Sequence, residues 1–494
     1  MALAKASRKH NSKFAWAVAV TMQLAVLMAS AALTLGASDQ GYVKRGEPQR
    51  EGQAWVERTQ CGAPVREGGR LTMRAAFGSV VVKVGRSDRM DCQIRIEAYT
   101  RSEAEARRYF KSFELSLRAV EGSAYLTAKS AHERHHSLRM NADFLISVPA
   151  RFNLDLETQG GDVDVERLEG ELRAVTAGGD IRTGDVIGPV RVETAGGGIS
   201  LGNIGRRLDA STAGGGIRVG NVQSSASLET SGGEIVAGRI GGELRAQTAG
   251  GDIVLRGASG PVIAETAGGQ IQIGDCGASV NAETLGGNIH LEGARGMVRV
   301  ESAGGDLDLF RIESAVHANT AAGRILAEIL ANRASFSPSH LETTVGDVQV
   351  FLPADLPLNI EAVIDEAAGH KIFSEFPLTV HGAGESVFGT GRVRGRCALN
   401  GGGKELTIHT VMGNIEIRKL NSVVLNQLKQ RQELYWKNFQ VREQQQMQEM
   451  LRRLQRVQQV EMQRLQDEIR RQNEQVPRPV DQVRKPQLDD DDDH

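Results

Sequence analysis

Val192-Glu193-Thr194-Ala195-Gly196-Gly197-Gly198-Ile199 is followed eighteen residues later by Ala210-Ser211-Thr212-Ala213-Gly214-Gly215-Gly216-Ile217. The same pattern sits at Thr158, Thr176, Thr230, Thr248, Thr266, Thr284, Ser302 and Thr320, always at the same step. Unbroken register of this kind is the mark of a repeat fold. Aligned on the anchor hydroxyl residue, the copies have fixed columns. Three residues on there is always glycine, and five residues on an aliphatic such as Val163, Ile181 or Ile235. Two and four residues before the anchor the side chains are small or apolar, as in Leu154-Asp155-Leu156 and Val190-Arg191-Val192. Apolar residues at every second position read as strand with one buried face. Each copy therefore predicts a strand ending at the anchor, a tight Gly-Gly turn, and a second strand. Glycine suits such a turn because it needs positive φ or leaves no room for a Cβ.

Ten residues after the anchor a further interior column runs Leu168, Val186, Ile204, Val222, Ile240, Ala258, Cys276, Ala294, Ile312, Leu330. Cys276 in that column reads as a buried, inert thiol. One copy cannot bury its own face, but stacked copies can. The reading adopted is an all-β, parallel β-solenoid with one 18-residue copy per turn and a threonine ladder at one corner. An antiparallel meander with a hairpin at each Gly-Gly is the competing layout. The pattern decays after Leu330 and returns at Thr343 and Thr410, which predicts irregular turns ending near Leu420.

Working outward, residues 71–150 read as a strand-rich N-terminal cap. Ser102-Glu103-Ala104-Glu105 is a capping box that opens a short helix to about Phe113. Residues 38–70 read as a linker. Cys61 lies in it, Cys92 shares a face with Ile94, and pairing of the two is open in an oxidising compartment. Residues 1–37 carry a basic leader (Lys5, Arg8, Lys9, Lys13) and a charge-free run from Phe14 to Gly36. Two readings stay open: a cleaved signal peptide, or a retained membrane anchor. Residues 421–475 are rich in Gln, Arg, Glu, Leu and Met and read as one long helix with a short coiled-coil seam. This predicts a homo-oligomer through that segment, against a plain solvated helix. Residues 476–494 form an acidic tail.

The composition narrows the function. The 494 residues carry 59 Lys+Arg against 61 Asp+Glu, a net charge of −2, which gives no electrostatic footing for nucleic acid. Four cysteines exclude a disulfide-dense scaffold. His132-Glu133-Arg134-His135-His136 matches a zinc-hydrolase pattern, but it falls between two predicted strands, and the motif works only on a helix. It reads as a polar loop. Nucleotide-binding glycine loops, the G-x-S-x-G frame and calcium-roll nonapeptides do not appear, so no cofactor or metal is expected. One outward column stands out. Glu157, Glu193, Glu229, Glu265, Glu283 and Glu301 each precede an anchor. The plain reading is a solvated mixed-charge face, balanced by Arg173, Arg191, Arg245 and Arg299. The sharper reading is an interaction stripe for glycans, cations or a protein.

The T-x-G-G-x-I repeats resemble the bacterial putative adhesin family. Phe144-Leu145-Ile146-Ser147-Val148-Pro149, Leu341-Glu342-Thr343-Thr344-Val345-Gly346-Asp347-Val348 and Leu399-Asn400-Gly401-Gly402-Gly403 support the resemblance over residues 71–420. It implies a right-handed β-helix and brings no catalytic residues. The expectation is a non-enzymatic, exported envelope protein, adhesive or scaffolding, with a glycan or an envelope protein as partner. It would meet the membrane through residues 1–37 if these are uncleaved. An envelope-stress or signalling accessory is the first alternative. A glycan-degrading β-helix enzyme, its site confined to residues 350–400, is the second.

Overall fold

The computed structural model describes residues 41–130, 140–382 and 391–434, and beyond these only residues 437, 441, 444, 445, 448 and 452. The apolar segment Phe14 to Gly36 and the His132–His136 loop lie outside the described residues. Among the described residues no helix is long and apolar enough to cross a membrane. The chain divides into two compact units, Met1–Ile271 and Gln272–His494.

In the first unit each repeat makes one coil of two strands. Strands Leu172–Thr176, Val190–Thr194, Leu208–Thr212, Ala226–Thr230, Leu244–Thr248 and Val262–Thr266 pair in parallel, each anchor opposite the next. The second strands, Ile181–Thr183, Ile199–Leu201 and Ile217–Val219, pair the same way in a second sheet. A third line of contact joins Leu168, Val186, Ile204, Val222 and Ile240 as isolated parallel bridges. From Ile235 the second strand lengthens to six residues and absorbs that bridge position. Parallel pairing removes the antiparallel meander. One coil buries Val190, Val192, Ile199, Leu201 and Ile204, each contributing about 2 kcal/mol relative to exposure.

The corner explains the invariant residues. The anchor threonine points inward and its hydroxyl donates to a glycine carbonyl of the preceding coil. Thr176 reaches Gly161 at 2.8 Å, Thr194 reaches Gly179 at 2.8 Å and Thr212 reaches Gly197 at 2.7 Å. The same oxygen accepts the amide of the glycine three residues on, Gly215 N to Thr212 at 3.3 Å. Two backbone groups are thus satisfied inside the core by one side chain. A Cβ on that glycine would collide with the carbonyl of the coil below, as at Gly179 against Gly161. The first glycine of the pair is different: a Cβ at Gly160 meets nothing and one at Gly178 barely touches Gly160. Neither glycine has positive φ. Of the two reasons expected for the Gly-Gly turn, only close approach holds; it is severe for the second glycine and slight for the first, tightest at Gly214, whose Cβ would lie 2.9 Å from the Gly196 carbonyl oxygen.

Residues 71–150 are joined to the coil strand by strand. Arg70–Ala75 pairs in parallel with Asn153–Thr158, and Ser79–Val84 with Val163–Val165. On their other side lie Ser123–Ser130 and Met140–Val148, again parallel. Residues 70–84 are therefore a coil sandwiched between a later one and the repeats, with Ala75 in the anchor slot and Thr158 bonded to Gly78 at 2.9 Å. Antiparallel strands then close each sheet: Arg89–Ala98 and Ala54–Pro64 on one, Phe113–Val120 on the other. The helix Glu103–Ser112 packs Ala106 and Phe110 inward and is capped by Ser102, whose hydroxyl accepts the Glu105 amide at 3.2 Å.

The stretch read as a linker is structured. Tyr42–Arg45, Gln49–Glu51 and Ala54–Pro64 are antiparallel strands, and Val56, Cys61 and Ala63 are buried. Its polar appearance comes from alternation with outward residues. Cys61 and Cys92 stand opposite each other, Cα atoms 4.9 Å apart, and are joined by a disulfide.

The second unit begins as regularly. Val280–Thr284, Val298–Ser302, Val316–Ala322 and Ser339–Val345 stack in parallel. Register then shifts between Leu309 and Ile312, where Arg311 has φ 46°. Ile329 takes the interior slot assigned to Leu330, and Leu330 is exposed. Past residue 352 chain order and stacking order part. Lys404–Met412 and Ile415–Lys419 lie directly on Ser339–Val345 and Val348–Leu352. Leu358–Ile364 and Ile372–Ser374 form the layer beyond them, followed by antiparallel Val393–Leu399 and Thr379–Gly382.

A helix over 422–434, capped by the Asn421 carboxamide at 2.9 Å from the Val424 amide, lies against the second sheet. Leu428 joins Phe310, Leu326 and Phe351 in a buried cluster flanked by Leu420 and Val424. The Gln432 amide donates to the Glu292 carbonyl at 3.3 Å. Strands such as Ile325–Ile329 are consequently buried on both faces.

Candidate interaction surface

The column before the anchor faces out of the first sheet. In the first unit it runs Glu157, Val175, Glu193, Ser211, Glu229, Gln247, Glu265 in stacking order. Glutamates fall on alternate coils, about 10 Å apart at ordinary strand spacing, with neutral residues between. Glu157 pairs with Arg74 at 3.0 Å, and Glu265 accepts from Gln247. Two residues back, Asp155 is held by Arg74 and Arg173, each at 2.8 Å. Burial opposes its charge, but the two guanidinium groups win and keep its carboxyl below the usual range. In the second unit Glu283 and Glu301 are direct neighbours, and Glu301 pairs with Arg299. In the first unit the glutamates are thus spaced by neutral residues, and in the second Glu301 is paired with an arginine.

The same column becomes chemically distinct in the irregular coils. After Glu301 it continues Asn319, Glu342, His409. Glu342 is shared by two histidines: His340 Nε2 at 3.1 Å and His409 Nδ1 at 3.1 Å. The other ring nitrogen of His409 meets Asp365 at 2.8 Å. Asp365 also pairs with Arg392 at 2.9 Å. Burial alone would lower the His409 pKa, but Asp365 and Glu342 together raise it above the ordinary histidine value. The hydrogen bond from His340, with that from His409, keeps Glu342 below the usual carboxylate range against the cost of its burial.

The neighbouring column runs Arg299, His317, His340, Thr407, Glu361, Arg396. Glu361 is again shared: Arg394 and Arg396 both bind it, Arg396 at 3.1 Å. Burial opposes its charge too, yet the two arginines lower its pKa. His317 is lowered by burial and by the nearby cations His340 and Arg299. Where this face ends, a cleft of about 470 Å³ is lined by Asn359, Glu361, Thr379, Arg396, Cys397 and Glu405.

This arrangement is suited to binding charge. With both ring nitrogens of His409 facing carboxylates, its doubly protonated form is favoured and neither nitrogen is free to accept a proton. Among the described residues no group of three or more His, Cys, Asp or Glu is arranged to hold a metal ion. Cys276 is buried in the column assigned to it, its sulfur 3.8 Å from the Gly274 carbonyl oxygen.

Glu342 and His409 each precede an anchor, Thr343 and Thr410. Extending the anchor column into the decayed copies would have found them. Asp365 carries no such signal, because it reaches His409 only through the reordered stacking.

No family model matches the chain, and no curated protein sequence does. Solved structures similar to it include a putative cell adhesion protein from Clostridium sporogenes, at 9% identity over 73% of this chain and 99% of that one, with a TM-score of 0.14. A putative adhesin from Bacteroides fragilis matches at 11% identity over 74% and 97%, TM-score 0.15. A putative lipid binding protein from Parabacteroides distasonis matches at 9% identity over 75% and 98%, TM-score 0.14. Likeness at that level transfers no activity.

Proposed function

We propose that this chain is a non-enzymatic protein of the cell envelope, adhesin-like or scaffolding, that presents rigid solenoid faces to a glycan. The observation that carries the reading is the outward face of the parallel sheet, where polar and charged side chains recur at strand spacing on backbone locked by the threonine–glycine corner. The buried Cys61–Cys92 disulfide supports export, because such bonds persist in oxidising compartments. The basic leader and apolar run of residues 1–37 support the same destination. Membership of the putative adhesin family rests on the repeat motif, and assembly of copies through residues 421–475 on the composition of that segment.

The test is a glycan array probed with the full chain, with cell fractionation in parallel. Binding to a defined set of glycans and recovery in the envelope fraction are expected. Recovery in the cytosol with both cysteines reduced would overturn the reading, as would an array at background.

A further inference from the structure

We propose that the outward face of strands Val298–Ser302, Val316–Ala322, Ser339–Val345, Lys404–Met412, Leu358–Ile364 and Val393–Leu399 is a binding site for a carboxylate-bearing polysaccharide, and that binding takes up protons. This rests on the glycan-presenting reading above and names the glycan class and the place.

The argument starts from charge sharing. Glu342 serves two histidines, Asp365 serves His409 and Arg392, and Glu361 serves Arg394 and Arg396. Together Glu342 and Asp365 face three basic groups, His340, His409 and Arg392, and Glu361 faces two, so each of the two clusters leaves one positive charge over when its basic groups are protonated. The surplus at Glu361 is permanent, because arginine stays protonated. The surplus at Glu342 depends on histidine protonation, which Asp365 and Glu342 favour at His409. Among the described residues, Arg299 on one neighbouring strand and His340 on the other stand directly opposite His317, and Glu301 and Glu342 lie diagonally, two positions further along those strands. An arriving anion would be the partner that lets His317 take a proton.

Geometry selects the ligand. Arg299, His317, His340, Thr407, Glu361 and Arg396 form one row across six strands, with rungs about 4.8 Å apart. That spacing is close to one sugar ring, so uronic carboxylates can meet Arg299, His317 and His340 at one end of the row and Arg396 at the other, with Thr407 and Glu361 between them. Arg396, more than half exposed at the cleft, offers the planar fork that grips a carboxylate with two hydrogen bonds. His381 stands opposite Arg394 in register, in the column beside this row.

The test uses the full chain and polygalacturonate, with a neutral glucan and single-stranded DNA as comparison probes. Affinity for polygalacturonate should rise at least about tenfold between pH about 7.5 and about 5.5, as the histidines charge. His317→Gln with His340→Gln should abolish that rise. Arg394→Gln with Arg396→Gln should weaken binding at least about tenfold at both pH values. Glu193→Gln, in the first unit, should change nothing. Should a variant fail to fold, histidine NMR of the unaltered protein decides. The His317 titration midpoint should move up when oligogalacturonate is added and stay put with the neutral glucan. A pH-independent affinity, an unmoved His317 midpoint, or equally tight DNA binding would overturn the proposal. Binding to neutral array glycans without polygalacturonate binding would sink this inference and leave the adhesin reading standing; binding to neither would remove both.

Discussion

The regular coils of the first unit and the reordered coils of the second use the same corner and differ in what they build on it. From Leu172 to Thr266 every strand pairs with its counterpart eighteen residues away, so each outward residue meets its own equivalent. Such a column is interchangeable by construction, and its charges are settled locally, as Asp155 is by Arg74 and Arg173. In the second unit, Glu342 meets His409 and His409 meets Asp365, across sequence separations of 67 and 44. Those partners belong to different segments and can be specialised singly. Regularity supplies the rigid frame, and broken order supplies an individual surface.

The largest expected effect tests the frame. Gly179→Ala should cost about 3 kcal/mol or more, because its Cβ enters the backbone carbonyl of Gly161 and neither chain can yield without breaking register. Gly178→Ala, one residue away with open space, should stay within about 0.5 kcal/mol. Urea unfolding of the two variants would measure the contrast, and equal costs would mean that the coils are not stacked backbone to backbone there.

Next comes the second unit. His290 lies buried against Phe310, with ring centroids 5.4 Å apart, and its pKa is lowered to about 4 by burial and then by Arg431. A base whose folded pKa is depressed leaves the unfolded chain binding the extra proton. Stability is therefore full above about 6.5 and is lost as pH falls toward about 4. The loss should approach about 3 kcal/mol at most. Asp308 and Glu328 are both raised by burial and act with the opposite sign, favouring the folded state at low pH. The comparison of His290→Leu with the parent protein isolates the histidine. Calorimetry should show a smaller acid-induced drop in Tm for the variant, and parallel curves would contradict this.

Thr212→Val keeps the shape of the corner and removes its hydroxyl. The Gly197 carbonyl and the Gly215 amide lose their shared partner inside the core. A cost of about 1–3 kcal/mol is expected in the same urea assay.

The smallest effects sharpen the contrast between the two columns. Glu229→Gln should move stability by no more than about 0.5 kcal/mol. Glu342→Gln should be read by NMR instead, as a fall in the His409 titration midpoint. Because that midpoint is raised in the folded protein, the stabilisation by His409 is present below its unfolded value and fades as pH rises through the folded one. An unchanged midpoint would mean that Glu342 contributes nothing to His409.

Periodic features were legible in the sequence. The anchor threonines, the second glycine and the inward aliphatics follow from a fixed spacing, and the Ser102–Glu105 cap from a local motif. The cysteine pair was left open and the structure joins it. What escaped depends on events without a period. The bulge at Arg311 moved Ile329 into the slot of Leu330. The helix over 422–434 covered Phe310, Leu326 and Phe351, which look like outward residues by alternation. Residues 70–84 found their place under a later segment, and so did Asp365 beside His409, because stacking order departed from chain order.

That departure has a consequence for how the molecule comes apart. A simple pile of repeats frays from its outermost member inward. In the first unit residues 70–84 are overlaid by residues 123–148, which come later in the chain, and in the second unit residues 404–419 are overlaid by residues 358–374, which come earlier. Once the outer strands of residues 42–64 or the helix over 422–434 are removed, a protease or a pulling force meets a segment pinned beneath its neighbour. Unravelling from a terminus must dislodge two layers together, which turns gradual peeling into a single cooperative rupture.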